Sequence, residues 1–229
     1  MSVPEPEATT ALQPGAPGAP QPAFAVVGAA HQPHAAAPTL RLTLEVTEPS
    51  PHAIYTIALS TQINLDPARR AYDDATRESL VELFGAPERW PATTRSFVWA
   101  QTDVLVPSFQ DSTTFELSIP CTYDLEVAAT RYLDALPEGE VPLSLHFSGR
   151  VMWVDDGRVQ YGQVPWSCSA QYRMPVAVWR AMIDHHFPHA GFVRLHADTL
   201  QALAREKARR GVPSFDACVA ELLDTRADA

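Results

Sequence analysis

Strict alternation of apolar and polar residues constrains the fold of this chain more than any other feature. In residues 39–46 the apolar positions are Leu40, Leu42, Leu44 and Val46. A second segment repeats the pattern at Tyr55, Ile57, Leu59, Ile63 and Leu65, and Thr61 is its one interruption. Because successive side chains of a strand point to opposite faces of a sheet, each segment predicts a strand with one buried face.

Further strands and helices follow from the same kind of pattern. We predict strands at 24–27, 96–106, 113–120, 141–154, 158–163 and 167–174, with a hairpin turn at Asp156 and Gly157. Asp73 or Asp74 can cap a helix over 74–84, and Gly85 ends it. Residues 124–136 fit either a helix or a continuation of the preceding strand. From Pro175 onward the period becomes helical, which predicts helices at 175–187, 198–210 and 214–224.

Strands first and helices last indicate an α+β protein. We expect an antiparallel β-sandwich, or a partly closed barrel, followed by a C-terminal helical segment. Residues 1–22 are rich in Pro and Ala and are predicted to be a disordered tail. Residues 23–174 would form the sandwich with one inserted helix, and residues 175–229 would form helices packed on the sheet.

Charge and cysteine content exclude several classes of function. The net charge of −10 disfavours nucleic acid and anionic membranes as partners. No apolar run approaches the roughly 20 residues that span a bilayer. The three cysteines lack a CxxC pair, and the first residues lack the features of a signal peptide. We therefore expect a cytoplasmic protein with reduced thiols, no membrane insertion and no nucleic-acid partner.

The cysteines and histidines do not predict a catalytic centre. Cys168 and Cys218 lie on apolar faces, and Cys121 lacks a basic neighbour that would lower the pKa of its thiol. His185 and His189 have the spacing of a helical metal pair, but Pro188 between them should end the helix near Phe187. A metal site at His185, His189 and His196 is kept as an alternative. We predict no catalytic residues, no cofactor and no enzyme.

Aromatic residues supply the candidate binding positions. Trp153 and Trp179 lie on apolar faces and are assigned to the core. Trp90 and Trp166 each stand beside a proline in a predicted loop, where an exposed ring often anchors a partner protein. Trp90, Trp166 and Tyr172 are therefore the candidate partner-binding residues. A carbohydrate-binding module is a further alternative, since tryptophans on a sandwich also bind sugars.

Several longer stretches resemble one known family. They are PHAAAPTL (33–40), LFGAPERW (83–90), IPCTYDLEVAATRYLDAL (119–136), VPLSLHFSGRV (141–151), VPWSCSAQYRMPVAVWRAMIDHHFP (164–188) and KARRGVPSFDACVAELL (207–223). Together they resemble an actinobacterial family encoded beside high-affinity, oxygen-tolerant nickel–iron hydrogenases. The resemblance runs from about residue 23 to residue 224. It implies an accessory or assembly protein whose partners are hydrogenase subunits or maturation factors, and it implies no site residues.

Overall fold

The structure, a computed structural model, describes residues 19–122, 124, 127–189, 193 and 195–227, with side chains to residue 224. Most of the predicted N-terminal tail, residues 1–18, lies outside this part of the chain. Residues 19–22 were counted in that tail, but Pro20 and Pro22 are buried. The carbonyl oxygen of Pro22 accepts a hydrogen bond from the thiol of Cys168.

The protein has an α+β fold in which α1–α3 lie between strands and α4–α6 follow the last described strand. The described strands are β1 (Ala23–His31), β2 (Thr39–Glu48), β3 (Ala53–Leu65), β4 (Phe97–Val106), β5 (Asp111–Pro120), β6 (Glu140–Asp155), β7 (Arg158–Gln163) and β8 (Ser169–Pro175). The described helices are α1 (Asp74–Phe84), α2 (Trp90–Thr93), α3 (Ala128–Asp134), α4 (Val176–His186), α5 (Ala197–Arg210) and α6 (Phe215–Ala227).

Two antiparallel sheets face each other across one core. The first has the strand order β1-β2-β5, and the second has the order β4-β3-β6-β7, with β8 also paired to β6. Phe24 of β1 packs against Phe147 of β6 with 4.5 Å between ring centroids, so the rings join the two sheets. The fold is therefore the predicted sandwich, and the sheets do not close into a barrel.

Strand periodicity places the core correctly except at one bulge. The apolar positions of β2 are all buried, as are Leu143, Leu145 and Phe147 of β6. In β3 the pairing with β6 shifts between Ile54 and Thr56. Ile54 is consequently buried and Tyr55 is 59% exposed, so the prediction of an inward Tyr55 is wrong.

The helices agree closely with the sequence patterns. Helix α1 begins after Asp73, whose carboxylate accepts the backbone N–H of Thr76 at 2.7 Å, and it ends before Gly85. The ambiguous segment 124–136 contains a short helix, α3, because Tyr132 and Leu133 turn inward and are buried. The indole of Trp179 in α4 donates to Asp134 of α3 at 2.8 Å, which joins these two helices beside the sheets.

The chain divides into two compact units at residues 190 and 191. The first contains both sheets and α1–α4. The second contains α5 and α6, and the last turn of α5 carries the basic residues Lys207, Arg209 and Arg210. Arg210 bonds Glu206 of α5 and Glu221 of α6. None of the helices in the described part of the chain has both the length and the apolar character that a membrane crossing requires.

Candidate functional site

An apolar patch lies on the outer face of the five-stranded sheet. Val151 and Trp153 of β6 are buried. Met152 and Val154 alternate with them along the strand and therefore face outward. Tyr161 of β7 pairs with Met152, and Val159 pairs with Val154. We call the outward residues the outer patch, which consists of Leu105, Met152, Val154, Val159 and Tyr161.

The members of the outer patch are unusually exposed for apolar side chains. Tyr161 is 72% exposed, Leu105 is 71% and Val159 is 60%. Leu105 lies on the same outer face of the sheet, because it pairs with Ala58 of β3, and Ala58 pairs with the outward Arg150 of β6. The patch thus has members on β4, β6 and β7, with Ala58 of β3 between Leu105 and β6, and exposed apolar groups on one sheet face are typical of an interaction surface.

A depression of about 330 Å³ borders the outer patch at Leu105. Gly149 of β6 is one of the residues that line it. At its φ of 144°, a Cβ on Gly149 would overlap the carbonyl oxygen of Ala58. Ala58 and Ser60 add only small side chains to the lining, while Leu105 and Asp103 add an apolar group and a carboxylate, so the depression has a mixed surface.

Trp166 stands beside this face in a well-anchored loop. Its side chain is 93% exposed. The loop, residues 164–168, separates β7 from β8, and both strands pair with β6. The N–H of Val164 donates to Gly149 at 3.0 Å, and the carbonyl of Cys168 accepts the N–H of Phe147 at 3.1 Å. These two bonds fix the backbone of the loop at both ends, so the position from which the exposed indole projects is ordered before any partner binds.

The other two candidate binding residues differ from Trp166. Tyr172 lies half-buried in β8, where burial and then the Glu140 carboxylate raise the pKa of its phenol. Trp90 is only 9% exposed and lies at the start of a short helix, so the expectation of an exposed loop residue is wrong. Its ring packs edge-on against Tyr72 and Phe84, and its indole donates to the carbonyl of Gly85 at 2.8 Å.

The histidine candidates are not brought together as a ligand set. Helix α4 ends at His186 as predicted, and His189 lies beyond it with a φ of 55°. His185 Nε2 lies 2.7 Å from the carbonyl oxygen of Pro33. His196 belongs to the second compact unit. Within the described residues, no three His, Cys, Asp or Glu side chains are grouped so that they could hold a metal ion.

The cysteines have the environments of structural residues. Cys121 is buried, and loss of solvation raises the pKa of its thiol to about 12. Burial also raises the pKa of the Cys168 thiol, which donates to Pro22. Because a thiol in the protonated form is a poor nucleophile, neither residue is arranged for covalent catalysis.

The outer patch is the part of the site that sequence patterns did not reveal. Val159 and Tyr161 alternate with Gln160 and Gly162, which was a visible signal of a strand with one apolar face. That face points away from the core because Val159 and Tyr161 pair with the outward Val154 and Met152, and a side chain at Gly162 would crowd the ring of the buried Trp153. The sequence gives no direct sign of this pairing.

Comparison with known proteins places the chain among related sequences. Residues 19–229 match the profile of DUF6084, a family of unknown function. No curated protein matches the sequence.

Solved structures resemble the chain only weakly. A putative ApaA protein from Bordetella pertussis is 9% identical, with a TM-score of 0.27, covering 71% of this chain and 95% of that one. A β-glucosidase from Kluyveromyces marxianus is 3% identical, with a TM-score of 0.25, covering 68% of this chain and 15% of the enzyme. β-Glucosidase 3B from Thermotoga neapolitana is 9% identical, with a TM-score of 0.25, covering 67% and 17%. At these TM-scores the similarities support no conclusion about function.

Proposed function

The chain belongs to the family DUF6084. We propose that it is a non-enzymatic accessory protein that binds another protein. The proposed partner is a subunit or maturation factor of a nickel–iron hydrogenase, as the sequence resemblance implies. The contact surface would consist of Trp166 and the outer patch. Tyr172, the third candidate, pairs with the buried Leu143 and packs against the core, so it lies outside this surface.

The main observation behind this proposal is that the exposed indole of Trp166 projects from a loop whose backbone is bonded at both ends. Tryptophan and tyrosine are enriched among the residues that dominate binding energy at protein interfaces. Trp166 is 93% exposed, although its loop is bonded to β6 at both ends. A partner that buries this ring would pay little entropy to order the loop, which favours tight binding.

The outer patch supports a protein partner rather than a small ligand. Its face is broad and only shallowly indented, whereas small-molecule sites enclose most of the ligand surface. Arg150 and Arg158 are exposed at its border, and neither forms an ion pair with another described residue. Such a surface, with an apolar centre and a charged border, has the layout of a protein interface.

The test is affinity capture from cells of the native host with a tagged full-length chain. Wild-type protein should retain hydrogenase subunits or maturation factors, and Trp166→Ala should retain at least about tenfold less, the ratio expected when a contact residue worth about 1.4 kcal/mol is removed. Val98→Ala is the matched control, because Val98 is also an exposed apolar strand residue but lies outside the outer patch.

Two results would count against the proposal. One is equal capture by Trp166→Ala and wild type. The other is unchanged hydrogenase activity in a strain that lacks the gene. A fluorescence change of Trp166 on adding polysaccharides, absent from Trp166→Phe, would favour a carbohydrate-binding role instead.

A further inference from the structure

A second concave surface lies away from the outer patch, around α1 and α2. It is a groove of about 630 Å³ between the turn Pro67–Arg69, α1 and α2. We call it the Tyr72 groove; the lining residues used below are Arg70, Tyr72, Arg77, Pro87, Trp90 and Pro91. Its size is typical of a ligand site, and nothing in the proposed function uses it.

The base of the groove is formed by two rings whose polar atoms already have partners. Tyr72 and Trp90 meet edge to face with 5.4 Å between centroids. The Tyr72 hydroxyl lies 2.7 Å from the carbonyl oxygen of Pro67 and 2.9 Å from the Tyr132 hydroxyl. Burial raises the pKa of Tyr72 far above its usual range, so the ring is uncharged at neutral pH. The base therefore offers a neutral aromatic surface that comes mainly from the half-buried Tyr72, because Trp90 behind it is only 9% exposed.

The rim of the groove carries positive charge. Arg70 donates to the carbonyls of Glu138 and Glu140, and no carboxylate in the described part of the chain forms an ion pair with it. Arg77 pairs with the highly exposed Asp74 at 3.3 Å, an arrangement that contributes little stability, and Asp73 is close enough to Arg70 and Arg77 to be attracted weakly by both. Glu88 is the one carboxylate that lines the groove.

Two buried polar atoms on groove residues have no partner among the described residues. They are Arg70 Nε and Thr94 Oγ1, and Thr94 as a whole is only 7% exposed. Buried polar groups are nearly always hydrogen-bonded, so unpaired ones often indicate a missing water or ligand. Here both belong to the same groove.

The groove selects for a particular chemistry. Aromatic rings flanked by prolines bind proline-rich segments, which present flat apolar rings in the polyproline II conformation. The arginines add a preference for carboxylates on that segment. The ligand that fits both features is an acidic, proline-rich peptide.

We propose that the Tyr72 groove binds residues 4–7 of this same chain, whose sequence is Pro4, Glu5, Pro6 and Glu7. Glu5 and Glu7 are the only charged residues in the first 22. They alternate with prolines, so the segment carries both features that the groove selects. Binding would place the prolines against Tyr72 and Trp90 and the carboxylates near Arg70 and Arg77.

The length of the chain permits this contact. Residue 22 is fixed near Phe147, because its carbonyl bonds Cys168, whose own carbonyl bonds Phe147. Arg70 is fixed at Glu140, and the seven residues of β6 between 140 and 147 span about 23 Å. The twelve residues from 7 to 19 reach about 37 Å at the 3.1 Å rise of polyproline II.

The test is the rate at which a Glu-specific protease cleaves the full-length chain after Glu7; the bond after Glu5 leads into Pro6 and is resistant to such proteases. Cleavage follows the population of the undocked segment, so a segment docked about nine-tenths of the time is cut about tenfold more slowly. Arg77→Glu should therefore raise the rate about tenfold. Arg158→Glu is the matched control: it makes the same charge reversal at an exposed position on β7 and should leave the rate unchanged.

A second measurement keeps the proposal testable if a variant alters the fold. In full-length protein labelled with ¹⁵N, Glu5→Gln with Glu7→Gln should shift the indole N–H resonance of Trp90 and leave that of Trp179 in place. Equal cleavage of wild type and Arg77→Glu, or an unmoved Trp90 resonance, would overturn the proposal. If the protection from cleavage increases with protein concentration, docking within one chain is overturned. The groove would then bind residues 4–7 of a second copy of the chain.

Discussion

Thr61 is a single polar residue at the centre of an apolar strand face. It is fully buried between Leu59 and Ile63, and its hydroxyl has no hydrogen-bond partner among the described residues. We expect Thr61→Val to stabilise the protein by about 1–2 kcal/mol, because valine has the same shape without a hydroxyl to desolvate. Urea denaturation measures the change. Thr47→Val, at an exposed strand position, should change stability by less than about 0.5 kcal/mol; a destabilised Thr61→Val would show that the hydroxyl is bonded.

The stability of α1 depends on pH through the ionisation of the Asp73 carboxyl group. Hydrogen bonds from Thr76, followed by weaker attraction to Arg70 and Arg77, lower the pKa of its carboxyl below 3.8. Because the pKa of Asp73 is lower in the folded protein, its carboxylate stabilises the fold at any pH above the unfolded-state pKa. This contribution disappears as the pH falls through the folded-state pKa. Asp73→Ala should therefore lower the melting temperature at neutral pH and much less at about pH 2. An equal loss at both pH values would contradict this account.

At the level of elements, β6 depends on one glycine. Gly149 has a φ of 144°, and a Cβ there would overlap the backbone of β3. Gly149→Ala should cost about 3 kcal/mol, because it combines backbone strain with a steric conflict that no side chain can relieve. Gly157→Ala, in the nearby hairpin turn, has a φ of 71° and open space around it, and should cost only about 1 kcal/mol. Equal losses in chemical denaturation would contradict the steric argument.

Regular elements followed from the sequence, and irregular ones did not. The bounds of α1 were predicted because Asp73 and Gly85 act within one turn of the helix that they flank. The exposure of Tyr55 was not predicted, because a bulge depends on how β3 pairs with β6, some 95 residues further along the chain. The burial of Trp90 was missed for a similar reason: its nearby prolines suggest a loop, while Tyr72, from another segment, covers its ring.

At the level of the whole molecule, the hydrophobic core ends well before the C-terminus. Every residue of the core cluster, and every partly buried residue packed against it, lies between Ala19 and Ile183. A chain shortened to end at residue 190 should therefore keep a cooperative unfolding transition, with a melting temperature within a few degrees of the full chain. Calorimetry of both proteins measures this, and loss of the transition would show that the core needs the second unit.

The candidate site could be predicted only in part for the same whole-molecule reason. Trp166 was identified because a tryptophan beside proline in a loop is informative by itself. The outer patch was not, since Leu105 and Tyr161 become neighbours of the same surface only through the pairing of β4, β3, β6 and β7. The Tyr72 groove likewise joins residues of the turn Pro67–Arg69, α1 and α2.

The division of one sheet edge into β7 and β8 has a consequence for behaviour at high concentration. Strand β6 is 16 residues long, but the strands that cover it have six and seven residues and are interrupted by the loop at 164–168. A continuous edge of that length would be a template for strands from other molecules, the first step toward fibrils. The interruption leaves no long, straight edge on that side, so molecules that carry an exposed tryptophan on this surface can remain dispersed at high concentration.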